Sequence, residues 1–215
     1  PPDLYLGTTQ GKAYNIFNAA LYIDEHGTVS QYNKANLVPF VERFPFLSFF
    51  TTVDVFDWVN WGKISGFGKG TEPTVILGDT FITGGLVCYD SVYPSWVREF
   101  VNNNSGFITI ITNDGWWGNT SGHHQHFAYA RLRAIEFNRW VVRSANNGFS
   151  GIINPQGEIL AKTEYWTRTG FTFTVPSLTT STFYTKYGDW LSYLCLALTL
   201  SFSGFLLVRK FKKSI

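Results

Sequence analysis

Residues 80–90 read TFITGGLVCYD and place an apolar run directly before a cysteine. The run 80–87 is rich in β-branched residues, which favours a strand that is buried on both faces. Cys88 follows the last residue of this strand, and residues 91–101 are predicted to form the next helix. A thiol between a buried strand and a helix N-terminus is a candidate nucleophile, because that end of a helix favours negative charge.

Predicted strands and helices alternate on both sides of this segment. Two short runs, 20–23 and 29–32, flank a glycine-containing turn and predict a hairpin. The clearest helix is predicted over 126–140, with one apolar face formed by Phe127, Ala130, Ala134 and Phe137. Further strands are predicted at 107–112, 141–144, 150–153 and 158–162, the last two joined by a turn at 154–157. The fold class is therefore α/β, a mixed sandwich of strands and helices.

An uncharged, mostly apolar run occupies residues 190–208. As a helix it would be about 28 Å long, close to the thickness of a hydrocarbon core, and basic residues at 209–213 suit a membrane interface. The sequence therefore predicts a folded domain at 1–187, a transmembrane helix at 188–208 and a basic tail at 209–215. Because positive charges stay on the cytoplasmic side, the tail is expected in the cytoplasm. The alternative, a buried core helix, would normally carry polar residues on one face.

Composition and spacing exclude several classes of site. The formal net charge is only +2 over 215 residues, and the basic cluster adjoins the apolar run, so no nucleic-acid partner is expected. A disulfide between the two cysteines, Cys88 and Cys195, would have to join the domain to the apolar run, so none is expected. Three histidines lack an acidic or cysteine partner at metal-ligand spacing, so no metal is expected; they are interpreted as capping and packing residues: His123, His124 and His126.

Several ordered blocks carry a resemblance to a known family. They are YNKANLVPFVE at 32–42, VCYD at 87–90, TNDGWWG at 112–118, HQH at 124–126, ARLRAIE at 130–136 and RSANNG at 143–148. With these blocks the chain resembles the nitrilase, or carbon–nitrogen hydrolase, superfamily, and within it the apolipoprotein N-acyltransferase branch. The Leu-Val-Pro-Phe block, the Gln-His helix and the C-terminal apolar run are typical of that branch. The resemblance implies a nitrilase-like α-β-β-α sandwich followed by one transmembrane helix.

The resemblance also implies a catalytic triad of Glu, Lys and Cys, with Cys88 as the nucleophile. Lys34 and the backbone N–H of Tyr89 are expected to stabilise the oxyanion of the tetrahedral intermediate. Glu42 matches a second carboxylate of the family, placed to orient Lys34 or to carry a proton. Taken singly, each residue is better interpreted as an ordinary structural group: the cysteine as a small buried hydrophobe, and the lysine and the glutamate as solvated surface groups. Their combination in this order favours the catalytic interpretation.

Three further residues are assigned to substrate binding. Asp90 stands where the acyltransferases usually have Glu, so its contacts must be made by a side chain that is one methylene shorter. Asn113 and Trp116 are candidates for lining an acyl pocket, with ordinary core packing of the tryptophan as the alternative.

The general base of the triad is expected several tens of residues before Lys34. The acidic residues in that stretch are Asp3, Asp24 and Glu25, and the last two belong to the predicted hairpin turn. We therefore expect the base before Pro1, together with the membrane bundle that the family carries there. The absence of methionine agrees with a chain that is the C-terminal part of a longer protein.

Nine aromatic residues are concentrated between Phe40 and Phe67. They are interpreted either as ordinary core or as an arm that rests on a bilayer, where aromatic rings favour the interface. We favour the arm, since an enzyme that handles lipids needs an entrance for them.

The reaction that the resemblance implies has two steps. Cys88 takes an acyl chain from a membrane phospholipid as a thioester, and the amino group of an apolipoprotein's N-terminal diacylglyceryl-cysteine then removes it as an amide. No cofactor is implied, and the expected state is a monomer in a bacterial inner membrane with its domain on the periplasmic face. Two alternatives stay open: a membrane-anchored amidase of the nitrilase type, and a degenerate domain that only binds lipid or lipoprotein.

Overall fold

We describe the protein from a computed structural model. The structure describes residues 16–27, 29–44 and 66–213, together with the backbone of 7–9 and 12–14; at 208 and 211–213 it describes the backbone alone. Most of the predicted aromatic arm, residues 45–65, lies outside the described residues.

A six-stranded sheet forms the centre of the described part of the domain. Its strands are β5 (Ile76–Leu77), β6 (Ile82–Val87), β7 (Phe107–Asn113), β8 (Val141–Asn146), β9 (Gly151–Ile153) and β10 (Ile159–Lys162), in the order β10-β9-β8-β7-β6-β5. The pairs β6–β7 and β7–β8 are parallel, and the outer pairs are antiparallel. The strands that the sequence predicts in this region are confirmed to within two residues at each end.

Two helices cross between the parallel strands. They are α1 (Pro94–Asn102), after β6, and α2 (Ser121–Phe137), after β7. The predicted apolar face of α2 is confirmed, since all four of its residues are buried. The predicted boundaries of α2 are wrong: the Thr120 hydroxyl caps the helix by accepting from Gly122 N–H, and Asn138 ends it with a left-handed φ of 50°.

Two antiparallel hairpins precede the main sheet. They are β1 (Gly7–Thr9) with β2 (Lys12–Tyr14), and β3 (Ala19–Ile23) with β4 (Val29–Asn33), the second of which was predicted. A Cβ at Gly84 of β6 would lie 3.0 Å from the Phe100 Cβ of α1, whereas one at Gly85 would lie 3.4 Å from the Ala20 Cβ of β3. Because neighbouring strand residues point to opposite faces, the helix covers one face of β6 and the hairpin the other, which confirms the predicted α/β sandwich.

The chain ends in a short helix, α3 (Phe183–Tyr187), followed by a long one, α4 (Trp190–Lys213). Residues 190–207 have a mean hydropathy of 1.7 and none of them is buried, so by length and composition α4 is able to cross a membrane. The basic residues after 208 continue the same helix. Arg98 of α1 donates to the carbonyl of Thr185 at 2.6 Å and to that of Lys186 at 2.8 Å, which fastens α3 to the domain.

Candidate active site

Cys88 lies at a sharp turn between β6 and α1. It begins a 3-10 helix over Cys88–Val92, and its φ of 49° is in the left-handed region, which costs a non-glycine residue about 1–2 kcal/mol. Its carbonyl oxygen accepts from the Ser91 hydroxyl at 2.8 Å, and the Nε2 atom of His126 lies 3.2 Å from the same oxygen. We call residues 87–92 the Cys88 elbow. The thiol is half-buried, so it is within reach of a substrate.

Asp90 joins this elbow to the segment after β4. One carboxylate oxygen accepts from Asn36 N–H at 2.7 Å and from its side-chain amide at 3.1 Å, and the other accepts from the Tyr32 hydroxyl at 2.8 Å. Tyr32 and Asn36 stand on either side of Lys34 in the sequence. Asp90 therefore holds Lys34 beside the Cys88 elbow.

Asp90 was predicted to take part in substrate binding, and its described contacts are with residues of the site itself. Its side chain is fully buried, and every hydrogen bond described for it is internal. Burial raises the pKa of Asp90 above its usual value, although the hydrogen bonds from Asn36 and Tyr32 oppose the rise. Burial and the neighbouring Asp90 charge also raise the pKa of Tyr32. We therefore propose that Asp90 holds together the two parts of the site, which are the Cys88 elbow and the segment after β4 that carries Lys34.

Lys34 and Glu42 form a buried ion pair. The Lys34 side chain is fully buried, and its Nζ lies 2.8 Å and 2.7 Å from the two carboxylate oxygens of Glu42. Glu42 also accepts from Val38 N–H at 2.7 Å and from the Asn18 amide at 3.1 Å, so its own orientation is fixed. An ammonium has three N–H donors, and two point at Glu42. The third has no hydrogen-bond partner among the described residues.

The other predicted site residues are Tyr89, which lies in the elbow, and Asn113 and Trp116, which lie at and just after the end of β7. Tyr89 belongs to the first turn of the 3-10 helix, where N–H groups have no partner within the helix. Asn113 ends β7, and its side-chain oxygen accepts from Gly115 N–H at 3.0 Å. Trp116 is 76% exposed, so the alternative of core packing does not hold for it.

Sequence reasoning missed a buried polar cluster beneath the elbow, formed by Asp114, His126 and Arg143. Asp114 lies just after β7, His126 is in the second turn of α2, and Arg143 is in the middle of β8. One Asp114 oxygen lies 2.8 Å from His126 Nδ1, and the other accepts from Arg143 at 2.6 Å. All three residues fall in or next to blocks that carry the resemblance. Only the fold shows that they meet, because they come from three separate elements.

A groove opens beside the lysine. It has a volume of about 390 Å³, and its lining includes Asn36, Leu37, Arg43, Phe44, Lys69 and Tyr93. Among the described residues neither Arg43 nor Lys69 has an ion-pair partner. We call this the basic groove. It combines apolar walls with two cations that have no ion-pair partner in the described part of the chain, which suits an amphipathic anion.

His123 and His124 pack against aromatic rings. His123 is buried and stacks on Tyr165 with ring centroids 4.1 Å apart, and burial lowers the pKa of His123. Over the part of the chain that the structure describes, no group of three or more His, Cys, Asp or Glu side chains is placed to hold a metal ion.

Comparisons with known proteins agree with this architecture. Residues 4–183 match the family model described as carbon-nitrogen hydrolase. The chain is 35% identical over 194 residues to an apolipoprotein N-acyltransferase of Chlorobaculum tepidum, which covers 87% of this chain and 36% of that protein. It is 34% identical over 203 residues to apolipoprotein N-acyltransferase 2 of Treponema denticola, covering 91% of this chain and 38% of that protein. The chain thus spans a little over a third of the length of these curated relatives.

Two solved structures also show similarity to part of this chain. Saccharomyces cerevisiae Nit3, a member of branch 10 of the nitrilase superfamily, has a TM-score of 0.49 at 17% identity, covering 71% of this chain and 51% of that chain. A Nesterenkonia amidase of the nitrilase superfamily, in its C145A form, has a TM-score of 0.47 at 20% identity, covering 68% and 51%. The family match over most of the chain confirms the resemblance drawn from the sequence blocks: the chain belongs to the carbon–nitrogen hydrolase family.

Proposed function

We propose that this chain carries the catalytic residues of an apolipoprotein N-acyltransferase. In this proposal it transfers an acyl chain from a membrane phospholipid to the N-terminal amino group of a diacylglyceryl-modified lipoprotein. The observation that carries the proposal is the buried Lys34–Glu42 pair, which the hydrogen bonds of Asp90 connect to the Cys88 elbow. The relatives of this chain bear the name apolipoprotein N-acyltransferase.

In the first half-reaction the Cys88 thiolate attacks the carbonyl carbon of the phospholipid ester. The carbonyl oxygen becomes an oxyanion that accepts from the free N–H of Lys34 and from the backbone N–H of Tyr89. When the intermediate collapses, the ester C–O bond breaks. The lysophospholipid leaves as an alcohol with the proton that the thiol gave up, and the acyl group remains as a thioester.

In the second half-reaction the lipoprotein's neutral amine attacks the thioester carbon. The C–S bond breaks, the amine gives up one proton, and the sulfur takes one, so an amide forms and the thiol is restored. Glu42 is already engaged by Lys34, and Asp90 is already engaged by Tyr32 and Asn36. We therefore assign the proton carrier to a residue outside the described part of the chain.

A further part of the proposal concerns the C-terminal helix α4 and the membrane. We propose that α4 spans the bacterial inner membrane, with the basic end of the helix in the cytoplasm and the catalytic domain on the outer face. The exposed apolar surface of α4 supports this placement. The basic groove supports a phosphate-bearing acyl donor, because Arg43 and Lys69 line it together with Asn36, which donates to Asp90 of the elbow. We propose that the protein acts as a monomer.

The test uses the complete gene product incubated with phospholipid and then digested for mass spectrometry. We expect an acyl adduct on the peptide that contains Cys88, removed by hydroxylamine as a thioester is. Cys88→Ala should lack the adduct, and Cys195→Ala, the matched control, should keep it. An adduct that persists in Cys88→Ala would end the proposal. Turnover of small amides without an adduct from phospholipid would favour the amidase instead.

A further inference from the structure

The cluster beneath the nucleophile has an uncommon hydrogen-bonding pattern around one ring. His126 is buried, with both of its nitrogens engaged. Nδ1 lies 2.8 Å from a carboxylate oxygen of Asp114, and Nε2 lies 3.2 Å from the carbonyl oxygen of Cys88. A neutral imidazole has one donor nitrogen and one acceptor nitrogen. The question is which nitrogen carries the proton.

The Nδ1 side requires a proton on that nitrogen. Asp114 lies at the end of β7, and burial alone would raise its pKa. The hydrogen bond from His126 and the charge of Arg143 outweigh burial and hold the pKa of Asp114 below its usual range. An ionised carboxylate only accepts hydrogen bonds, and without a proton on Nδ1 two lone pairs would face each other at 2.8 Å. Arg143 lies 3.2 Å from Nδ1, and its nearer contact is the other Asp114 oxygen, to which it donates at 2.6 Å.

The Nε2 side requires a second proton. The carbonyl oxygen of Cys88 is an acceptor only. The neighbouring Ser91 hydroxyl, 3.4 Å from Nε2, already donates its hydrogen to that carbonyl at 2.8 Å. An Nε2 atom without hydrogen would therefore point a lone pair at another lone pair.

From this geometry we propose that His126 is a positioning residue that works as a doubly protonated imidazolium, donating one N–H to Asp114 and the other to the carbonyl of Cys88. The ring links the buried Asp114–Arg143 ion pair to the backbone of the nucleophile. It holds Cys88 in the left-handed conformation that exposes its thiol, and it touches neither substrate nor reacting atoms.

Charged groups from two other elements face the ring. They are Asp114 from the end of β7 and Arg143 from β8, beside the carbonyl of Cys88 from the elbow; its own helix contributes His123, which is one turn away. Arg143 and an imidazolium give two positive charges against one carboxylate. Burial lowers the pKa of Arg143, and the charges of Asp114 and Cys88 oppose that shift.

A nitrogen-15 spectrum tests the protonation directly. The complete protein, labelled at the ring nitrogens of its four histidines, would be recorded at neutral pH in detergent micelles. The signals of His126 are those that vanish in His126→Gln. We expect both of its nitrogens in the protonated range. One protonated and one unprotonated ring nitrogen on His126 would overturn the proposal. The spectrum can be measured on a protein that has no catalytic activity.

A substitution at the carboxylate tests what holds the second proton. In Asp114→Asn the side-chain amide can donate to Nδ1, so we expect that nitrogen to move to the bare range while the exposed His124 keeps its signals. An Asp114→Asn spectrum that still shows two protonated nitrogens on His126 would contradict the assignment of Asp114 as the partner.

Two variants of the histidine test its effect on the reaction. The Gln amide reaches the place of Nε2 and can still donate to Cys88, whereas the shorter Asn amide reaches only the place of Nδ1. We expect His126→Asn to lower kcat about tenfold to a hundredfold with a small change in KM, and His126→Gln to retain most of the rate. His124→Gln is the matched control. Equal loss in both variants would rule out positioning through the Cys88 carbonyl.

The kinetic comparison rests on the proposed acyl transfer, and the spectra do not. A two-proton signature in a protein that fails to transfer acyl groups would contradict the proposed function and leave the positioning role intact. Acyl transfer by a protein whose His126 ring is singly protonated would support the proposed function and contradict the positioning role of the imidazolium.

Discussion

Lys34 depends on Glu42 for its stability as well as for its orientation. A fully buried ammonium that loses its carboxylate is an uncompensated charge, which typically costs about 3–5 kcal/mol. We expect Glu42→Gln to lower the free energy of unfolding by about that amount and to remove acyl transfer. Urea unfolding followed by tryptophan fluorescence measures the first effect.

The paired substitution separates charge burial from lost packing. Removing both charges, in Lys34→Met with Glu42→Gln, should recover part of the stability that either single change loses, and it should recover no activity. Losses that simply add would show that the ion pair contributes no coupling, against the geometry of the two short Nζ–oxygen contacts.

The lowered pKa of Asp114 leads to a prediction about how the free energy of unfolding depends on pH in the acid range. Because its pKa is lower in the folded protein, the unfolded chain binds more protons, and its stabilisation is present above the ordinary value of about 4 and is lost as the pH falls through the lowered one. Below about pH 4 the free energy of unfolding should fall more steeply in the wild type than in Asp114→Asn, by up to about 1.4 kcal/mol per pH unit. Asp90, with a raised pKa, acts in the opposite direction and only above that range.

Urea midpoints collected at several acid pH values for both proteins give this comparison. Thr112→Val is a useful control, since it removes one hydrogen bond to Asp114 and leaves its charge. Parallel profiles for the wild type and Asp114→Asn would contradict a lowered pKa at that carboxyl.

Among the elements, the loop that follows β4 carries both the lysine and one wall of the basic groove. If Arg43 and Lys69 bind a phosphate, changing both to Gln should raise KM for an anionic phospholipid about tenfold or more, and should raise it much less for an uncharged diacylglycerol donor. Arg168→Gln, at an exposed cation outside the groove, is the control. Equal changes in KM for both donors would contradict phosphate binding.

The elements also show where sequence patterns suffice. The strand that ends at Cys88, the hairpin of β3 and β4, and the apolar face of α2 follow from local periodicity, and the structure confirms them. The start of α2 does not follow, because its first turn is polar and its limit depends on the hydroxyl of Thr120. The polar cluster does not follow either, since Asp114, His126 and Arg143 meet only after parallel strands and a helix have assembled.

At the scale of the whole molecule, the charges after residue 208 predict orientation. We expect a reporter that is active only in the cytoplasm to work when fused after Ile215, because Arg209, Lys210, Lys212 and Lys213 favour that side. A reporter that needs export should be silent at the same position. The reverse pattern would place the Cys88 elbow away from the proposed lipoprotein substrates.

The attachment of α3 to the domain has a consequence for how the protein would meet its substrates. Arg98 donates hydrogen bonds to two consecutive carbonyls just before α4. The Tyr184 hydroxyl donates to Asp189 at 2.8 Å across the junction between α3 and α4. With α4 in a bilayer, the thiol would stay at one height above the lipid and find its partners by lateral diffusion. The rate would then follow the number of donor molecules per unit of membrane area, so diluting them with inert lipid should slow the reaction at an unchanged bulk concentration.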